Sequence, residues 1–217
     1  MTGLITPREF HESDGVEDWR VVGDGARGHF LTASLQESVR FAGSIAGLAI
    51  EGHEPEIHIG VGGVTIRLVV IAGELWSLTA HEVEMARSIT AAAREQGLVA
   101  DPAAVQTVQV TIGSHDLAEI MPFWQAVLGY DQVGEEDLLD LHGVGAPFWF
   151  QQLSRPRQVR NRIHIDVFVP HDQAEIRIAA AVAAGGRLID DSDAPAGWTL
   201  ADPVGNVADI ATWMGRD

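Results

Sequence analysis

The sequence predicts an α+β protein built as two domains, and three observations carry that prediction. Two β-rich runs separated by Gly62-Gly63 lie between stretches that carry helix-start signals, which makes residues 1–98 one α+β unit. The stretch Val99-Ala100-Asp101-Pro102-Ala103-Ala104 reads as a linker over 99–104. Over 105–217, His115-Asp116-Leu117-Ala118-Glu119-Ile120 recurs as His171-Asp172-Gln173-Ala174-Glu175-Ile176, which marks an internal repeat. At 217 residues the chain exceeds the commonest single-domain size of about 100 to 150, so two small domains or one large one are expected.

Each element has its own signal. Ser34-Leu35-Gln36-Glu37 is a capping-box pattern opening a helix toward Ile50, with Gly52 placed for its C-cap. Strands are expected over Ile57 to Val61 and Val64 to Ile71, joined by Gly62-Gly63 because both glycines can take positive φ. With that loop, Gly60 faces Thr65 and His58 faces Arg67, leaving His58 and Thr65 as diagonal neighbours on one sheet face. Thr79-Ala80-His81-Glu82 is a second capping box, starting a helix that ends near Gly97. In the repeat, apolar runs at Val108 to Ile112 and Ile163 to Val169 each precede a helical stretch and further short strands, giving two βαβββ modules. Pro122 predicts a late start or a kink in the first of those helices.

Composition narrows the functional classes. No apolar run approaches the ~18 to 20 residues that span a bilayer, and the N-terminus has no basic-then-apolar pattern, so a cytoplasmic protein with no membrane partner is expected. With no cysteine, thiolate nucleophiles and cysteine-bound zinc are excluded. Any divalent metal would need His, Asp, Glu or Gln. A formal net charge of −17 argues against nucleic acid as a partner.

Residues from about Leu4 to Leu98 resemble pterin-4a-carbinolamine dehydratases. The resemblance lies in Trp19, Phe30-Leu31-Thr32, the long helix, His53-Glu54-Pro55, the hairpin, and Leu78-Thr79-Ala80-His81-Glu82. It implies a sheet with helices on one face and a hydro-lyase that dehydrates a 4a-hydroxytetrahydropterin carbinolamine (a tetrahydrobiopterin-type substrate). That reaction needs an acid for the departing hydroxyl and a base for a ring N–H, tasks suited to imidazole. The family's two adjacent histidines align with His53 and Glu54, and a third aligns with Thr65. The implied catalytic set is therefore His53, Glu54 and His58, with His58 delivering an imidazole toward Thr65. Pro55, Thr65, Trp76 and Glu82 would contact substrate. Glu82 also fits as the capping-box partner, and His81 reads as solvated.

Residues from about Val105 to Trp213 resemble glyoxalase-like, vicinal oxygen chelate proteins. Phe123-Trp124-Gln125-Ala126-Val127-Leu128-Gly129, Asn161-Arg162-Ile163-His164-Ile165-Asp166 and Asp202-Pro203-Val204-Gly205-Asn206 carry the likeness. It implies a divalent metal held by His164 and Asp209. Carried back through the repeat, the partner of His164 is Val108 and that of Asp209 is Trp149 or Gln151, so half of the expected shell is present. Two ligands rarely hold a catalytic metal, and a metal-free pocket is expected ahead of a divalent metal site. Trp149 and Gln151 would line a substrate cleft, with Asp166, Phe150 and Trp198 as further walls. Both resemblances imply a homodimer. The leading expectation is thus a pterin-type lyase fused to a small-molecule-binding domain. The alternatives are a metal-dependent lyase, isomerase or dioxygenase acting in the second domain, and a ligand-binding protein without catalysis.

Overall fold

The computed structural model of the protein describes residues 3–72, 75–140, 145–153, 163–201 and 207–215, and leaves Asn161-Arg162 and the expected turn Asp202-Pro203-Val204-Gly205-Asn206 outside the described residues. The chain forms two compact units, one of Met1–Gln106 with Pro170–Asp172 and Trp213–Asp217, the other of Thr107–Val169 with Gln173–Thr212. No helix is long and apolar enough to cross a membrane among the described residues.

The first unit runs β1 (Leu4–Ile5), α1 (Pro7–His11), β2 (Trp19–Val22), β3 (Gly25–Leu31), α2 (Leu35–Ala46), β4 (Glu56–Ile59), β5 (Gly63–Leu68), β6 (Val70–Ala72), β7 (Leu75–Thr79), α3 (Ala80–Glu95) and β8 (Val99–Ala100). One sheet has the order β2-β3-β5-β4, with β8 paired to β3, and a second has the order β1-β7-β6. Val99 and Ala100, expected as linker, pair instead with Leu31 and Phe30. Alternate residues of β3 and β5 (Ala26, Phe30, Val64, Ile66 and Leu68) enter one core with Phe41 and Ile45 of α2 and Ala86 and Ile89 of α3. Trp19 lies wholly inside that core, and its indole N–H donates to Thr90 Oγ1 at 3.1 Å, so the cost of burying a polar group is met.

Two local expectations for this unit are corrected. The helix opened by Ser34 stops at Ala46 with Gly47 as its C-cap, short of Ile50, and Leu48 turns back to pack on the core. Gly52, with φ of 81°, serves the turn before His53 instead. The β4–β5 hairpin turns at Val61-Gly62, because Gly60 N–H bonds Gly63 O at 2.9 Å, and Gly63 is the first residue of β5. His58 therefore lies directly opposite Thr65, and Arg67 faces Glu56 rather than His58.

The second unit runs β9 (Thr107–Ser114), α4 (Leu117–Leu128), β10 (Asp131–Val133), β11 (Asp137–Leu139), β12 (Phe148–Gln152), β13 (Ile163–Phe168), α5 (Ala174–Ala183), β14 (Arg187–Asp190), β15 (Gly197–Ala201) and β16 (Val207–Ala211). These strands make one sheet of order β10-β11-β12-β9-β13-β16-β15-β14, whose halves are mirror-ordered about the antiparallel β9–β13 pair. Each half is one βαβββ module. The helix α4 starts at Leu117, capped by Asp116 Oδ1 on Glu119 N–H at 3.1 Å, and runs through Pro122 rather than starting after it. One sheet face packs on the helices through Ile112, Leu138 and Phe150 in one module and through Val167, Leu200, Ile210 and Trp198 in the other.

In the first unit, His11 sits among polar and aromatic groups that need it neutral. Its Nε2 accepts Val21 N–H at 3.2 Å, and its ring stacks on Trp213 with centroids 5.1 Å apart. Trp213 Nε1 donates to His171 Nδ1 at 3.1 Å, and Arg20 donates to Asp172 at 2.7 and 3.2 Å. Burial, then the neighbouring His171 and Arg20, push the His11 pKa down to about 4, against an opposing pull from Asp172. An unfolded histidine at about 6.5 binds a proton that the folded one refuses, so this contribution is whole above pH 6.5 and is lost as pH falls toward 4. Discounted for partial exposure, acidification from pH 7 to 4 should cost about 2 kcal/mol through this group. Urea unfolding across that range checks it: His11→Gln should flatten the dependence relative to wild type.

Candidate functional site

Among the described residues, α4 and α5 pack on one face of the second unit's sheet, and strand parity decides which side chains reach the other. His164 and Asp166 are two apart on β13 and so share a face. Cross-strand partners extend the same face: His164 pairs Thr111, Asp166 pairs Gln109 and Asp209, Asp209 pairs Thr199, and Thr111 pairs Trp149. His164, Asp166 and Asp209 each present a ligand atom within 4.8 Å of the others, and no second such group exists among the described residues. His164 Nε2 lies 3.2 Å from Asp166 Oδ1 and 3.5 Å from Asp209 Oδ2.

These carboxylates are held from behind. Thr111, fully buried, donates its hydroxyl to Asp166 Oδ2. Asp166 Oδ1 and Asp209 Oδ1 are buried without a hydrogen-bond partner. Burial raises the Asp209 pKa, with Asp166 and Asp190 adding to the rise and Thr199 and His164 opposing it. His164 Nε2 with one oxygen from each carboxylate forms an N,O,O donor set suited to a divalent cation such as Mn, Fe, Ni or Zn, so the residues present fit a metal there.

The same parity overturns part of the expected cleft. Val108 pairs Val167 and so sits on the opposite side of β9 from Thr111; Gln109 and Thr111 occupy the site face in its place. Phe150 and Trp198 face the helices and do not wall the cleft. Trp149 remains on the open face, its indole N–H donating to Glu136 Oε2 at 3.0 Å, and Gln151 follows two residues on. Its cross-strand partner Asp137 has a pKa pushed up to about 6, by burial and then by Glu136. Asp166, read from the sequence only as a cleft wall, and Gln109, not read at all, belong to this group. Their signal was alternation with His164 and Thr111.

In the first unit, His53 Nδ1 lies 2.6 Å from Glu82 Oε1. Glu82 is 2 % exposed, and its other oxygen accepts Thr79 N–H and Thr79 Oγ1–H, both at 2.7 Å. His53 Nδ1 is therefore the ring nitrogen committed to Glu82, and Nε2 is the one turned away from it. The His81 ring stands next to it, centroids 4.4 Å apart. Glu54 does not join them: exposed, it accepts Gly52 N–H at 3.0 Å, and Pro55 is half-buried beside it. Trp76 lies under Arg67, whose guanidinium carbon is 4.6 Å from the ring centroid and which pairs with Asp24 and Glu56, each at 2.7 Å.

His58 and Thr65 form a separate group with a residue the sequence reading missed. His29 on β3 pairs Thr65, and its Nδ1 lies 2.8 Å from Thr65 Oγ1. With His58 on the other side, Thr65 is flanked by two imidazoles at the floor of an open depression of about 360 Å³, whose walls include neither His53 nor Glu54. Gly63 permits this arrangement. A Cβ there would lie 2.6 Å from His29 Cε1 and 2.7 Å from Phe30 O.

Residues 109–211 match the profile of a glyoxalase-like domain. No curated protein matches the sequence. Solved structures similar to about half of the chain include the following three. A glyoxalase/bleomycin resistance protein/dioxygenase superfamily member from Vibrio splendidus is 16% identical, covering 50% of this chain and 99% of that one, with a TM-score of 0.32. A glyoxalase/bleomycin resistance protein/dioxygenase family enzyme from Burkholderia phytofirmans is 21% identical over 49% and 97%, with a TM-score of 0.23. An NAD-dependent benzaldehyde dehydrogenase from Legionella pneumophila is 11% identical over 48% and 97%, with a TM-score of 0.36. The profile match lies outside the dehydratase-like residues 4–98 of the first unit.

The close approach at Gly63 should be measurable. Gly63→Ala is expected to destabilise the protein by about 1 to 3 kcal/mol in urea unfolding, because part of the clash is with backbone that has nowhere to move. Adding His29→Ala should recover only the side-chain share.

Proposed function

We propose that the glyoxalase-like domain is a metal-dependent enzyme domain whose centre is His164, Asp166 and Asp209, acting on a small substrate that offers two oxygen ligands. The observation that carries this reading is the convergence of His164 Nε2, Asp166 Oδ1 at 3.2 Å and Asp209 Oδ2 at 3.5 Å, with one oxygen of each carboxylate buried and without a hydrogen-bond partner. His164 Nε2, Asp166 Oδ1 and an Asp209 oxygen would hold the ion. A divalent cation bound there would supply Lewis acidity to the substrate oxygens, the chemistry shared by lyases, isomerases and dioxygenases of this type. The rest falls to the chain itself. Thr111 fixes the Asp166 carboxylate, Thr199 steadies Asp209, and Trp149, Gln151 and Gln109 shape and polarise the face on which a substrate would lie.

Metal content of protein purified without chelator, with titration calorimetry using Mn, Fe(II), Ni and Zn, tests this. A stoichiometric ion is expected, and His164→Ala or Asp209→Asn should each weaken binding about 10- to 100-fold or more. No bound ion, and no binding of any of the four added metals, sinks the reading.

A second reading concerns the first unit, and its support is the 2.6 Å contact between His53 and a buried carboxylate. A carboxylate that orients an imidazole leaves the far nitrogen ready to take a proton, the arrangement used in general-base catalysis. The reading assigns this unit acid–base dehydration of a pterin-type carbinolamine, with His53 as base. If His53→Ala leaves carbinolamine dehydration unchanged in stopped-flow absorbance, the reading fails. A loss of about 100-fold or more is the expected result.

A further inference from the structure

Acid–base dehydration requires two proton-transfer groups at one place, and His53 provides one of them. The residue next to it in sequence, Glu54, is exposed and committed to Gly52 N–H at 3.0 Å. A different side chain stands where a second group is needed. His81, in the first turn of α3, has its ring centroid 4.4 Å from that of His53, with the planes inclined at 53°. The two histidines arrive from separate elements, one from the turn before β4 and one from the helix that Thr79 and Glu82 cap. Successive residues of a helix point about 100° apart. That divergence lets Glu82 bond His53 Nδ1 while its neighbour His81 stands against the same ring.

His81 Nε2 is buried and has no hydrogen-bond partner in the folded chain. Buried polar atoms are almost always paired, and the exceptions are concentrated where a catalytic role or a bound molecule accounts for them. His81 backbone N–H is already used in the helix cap, accepted by Thr79 Oγ1 at 3.1 Å, so the backbone is anchored while Nε2 of the ring is left unsatisfied.

We propose that His81 is the second acid–base residue of this site, working with His53 on a cyclic carbinolamine, an N–H next to a carbon bearing hydroxyl. This assignment rests on the acid–base reading of the first unit and adds to it a residue from α3. His53 Nε2 takes the ring N–H proton, and the freed electron pair forms the C=N bond. The C–O bond breaks, and the leaving hydroxyl departs as water with a proton from the His81 imidazolium. Substrate becomes imine and water, and the proton gained by His53 returns to His81 through solvent, so the pair ends as it began.

The test uses the full chain and a 4a-hydroxytetrahydropterin formed in situ, with dehydration followed by stopped-flow absorbance. His81→Ala should slow the reaction about 100-fold, and free imidazole should restore a large part of the rate, which a merely structural role would not allow. His81→Gln, with circular dichroism melting as a check on folding, serves as the second variant and should be equally slow. A wild-type rate with both variants within twofold of it overturns the assignment of His81 and leaves the His53 reading standing. Slow variants that imidazole does not rescue also overturn it. A wild-type protein no faster than buffer removes the acid–base reading and this assignment together.

Discussion

Side chains of a β-strand point alternately to its two faces, so a register error of one residue moves a whole set of groups from one environment to the other. The His164 group of the second unit and the His58–Thr65–His29 group of the first depend on that constraint. The antiparallel pairing of β13 with β9 puts His164 beside Thr111 and Asp166 beside Gln109, while the parallel pairing with β16 brings Asp209 alongside Asp166. Three ligand-type side chains from two strands then lie close to one another with no loop needed to gather them. In the first unit the β4–β5 register puts His58 against Thr65, and the β3–β5 register brings His29 to the other side of the same residue.

Glu82 shows a second kind of dependence, in which stability and chemistry use the same atoms. One of its oxygens closes the cap of α3 through Thr79, and the other orients His53. Because the carboxylate is buried and fully engaged, the helix start and the imidazole are held in one geometry. The group at His164 is held differently. There the buttressing comes from hydroxyls on neighbouring strands, Thr111 on one side and Thr199 on the other, and part of each carboxylate stays bare.

Much of this architecture could be read from sequence where the signal is local. The Thr79-to-Glu82 capping box, the His-Asp repeat and the strand runs at Val108 and Ile163 are short-range patterns, and the elements form where they stand. What failed was register. Gly62-Gly63 is a hairpin signal by itself, yet Gly63 is used for space under His29 and the turn moves one residue back, which reverses the partnership of His58 with Arg67. Val108 was carried over by counting along the repeat, and counting cannot see which face a strand residue takes. His29 and the contact of His81 with His53 depend on strands and helices far apart in sequence, and no local pattern carries them.

The mirror-ordered sheet of the second unit has a consequence for how such a domain can change over evolutionary time. A duplicated module begins with two equal sets of positions, but here, among the described residues, the candidate chelating groups come from the later copy, on β13 and β16. The earlier copy contributes Gln109, Thr111, Trp149 and Gln151 to the same face. Redundancy has become division of labour: one copy carries the candidate ligands, and the other carries Thr111, which holds Asp166 from behind. Mutational change confined to Gln109, Trp149 and Gln151 can therefore remodel this face while the His164, Asp166 and Asp209 group and its Thr111 buttress are inherited intact.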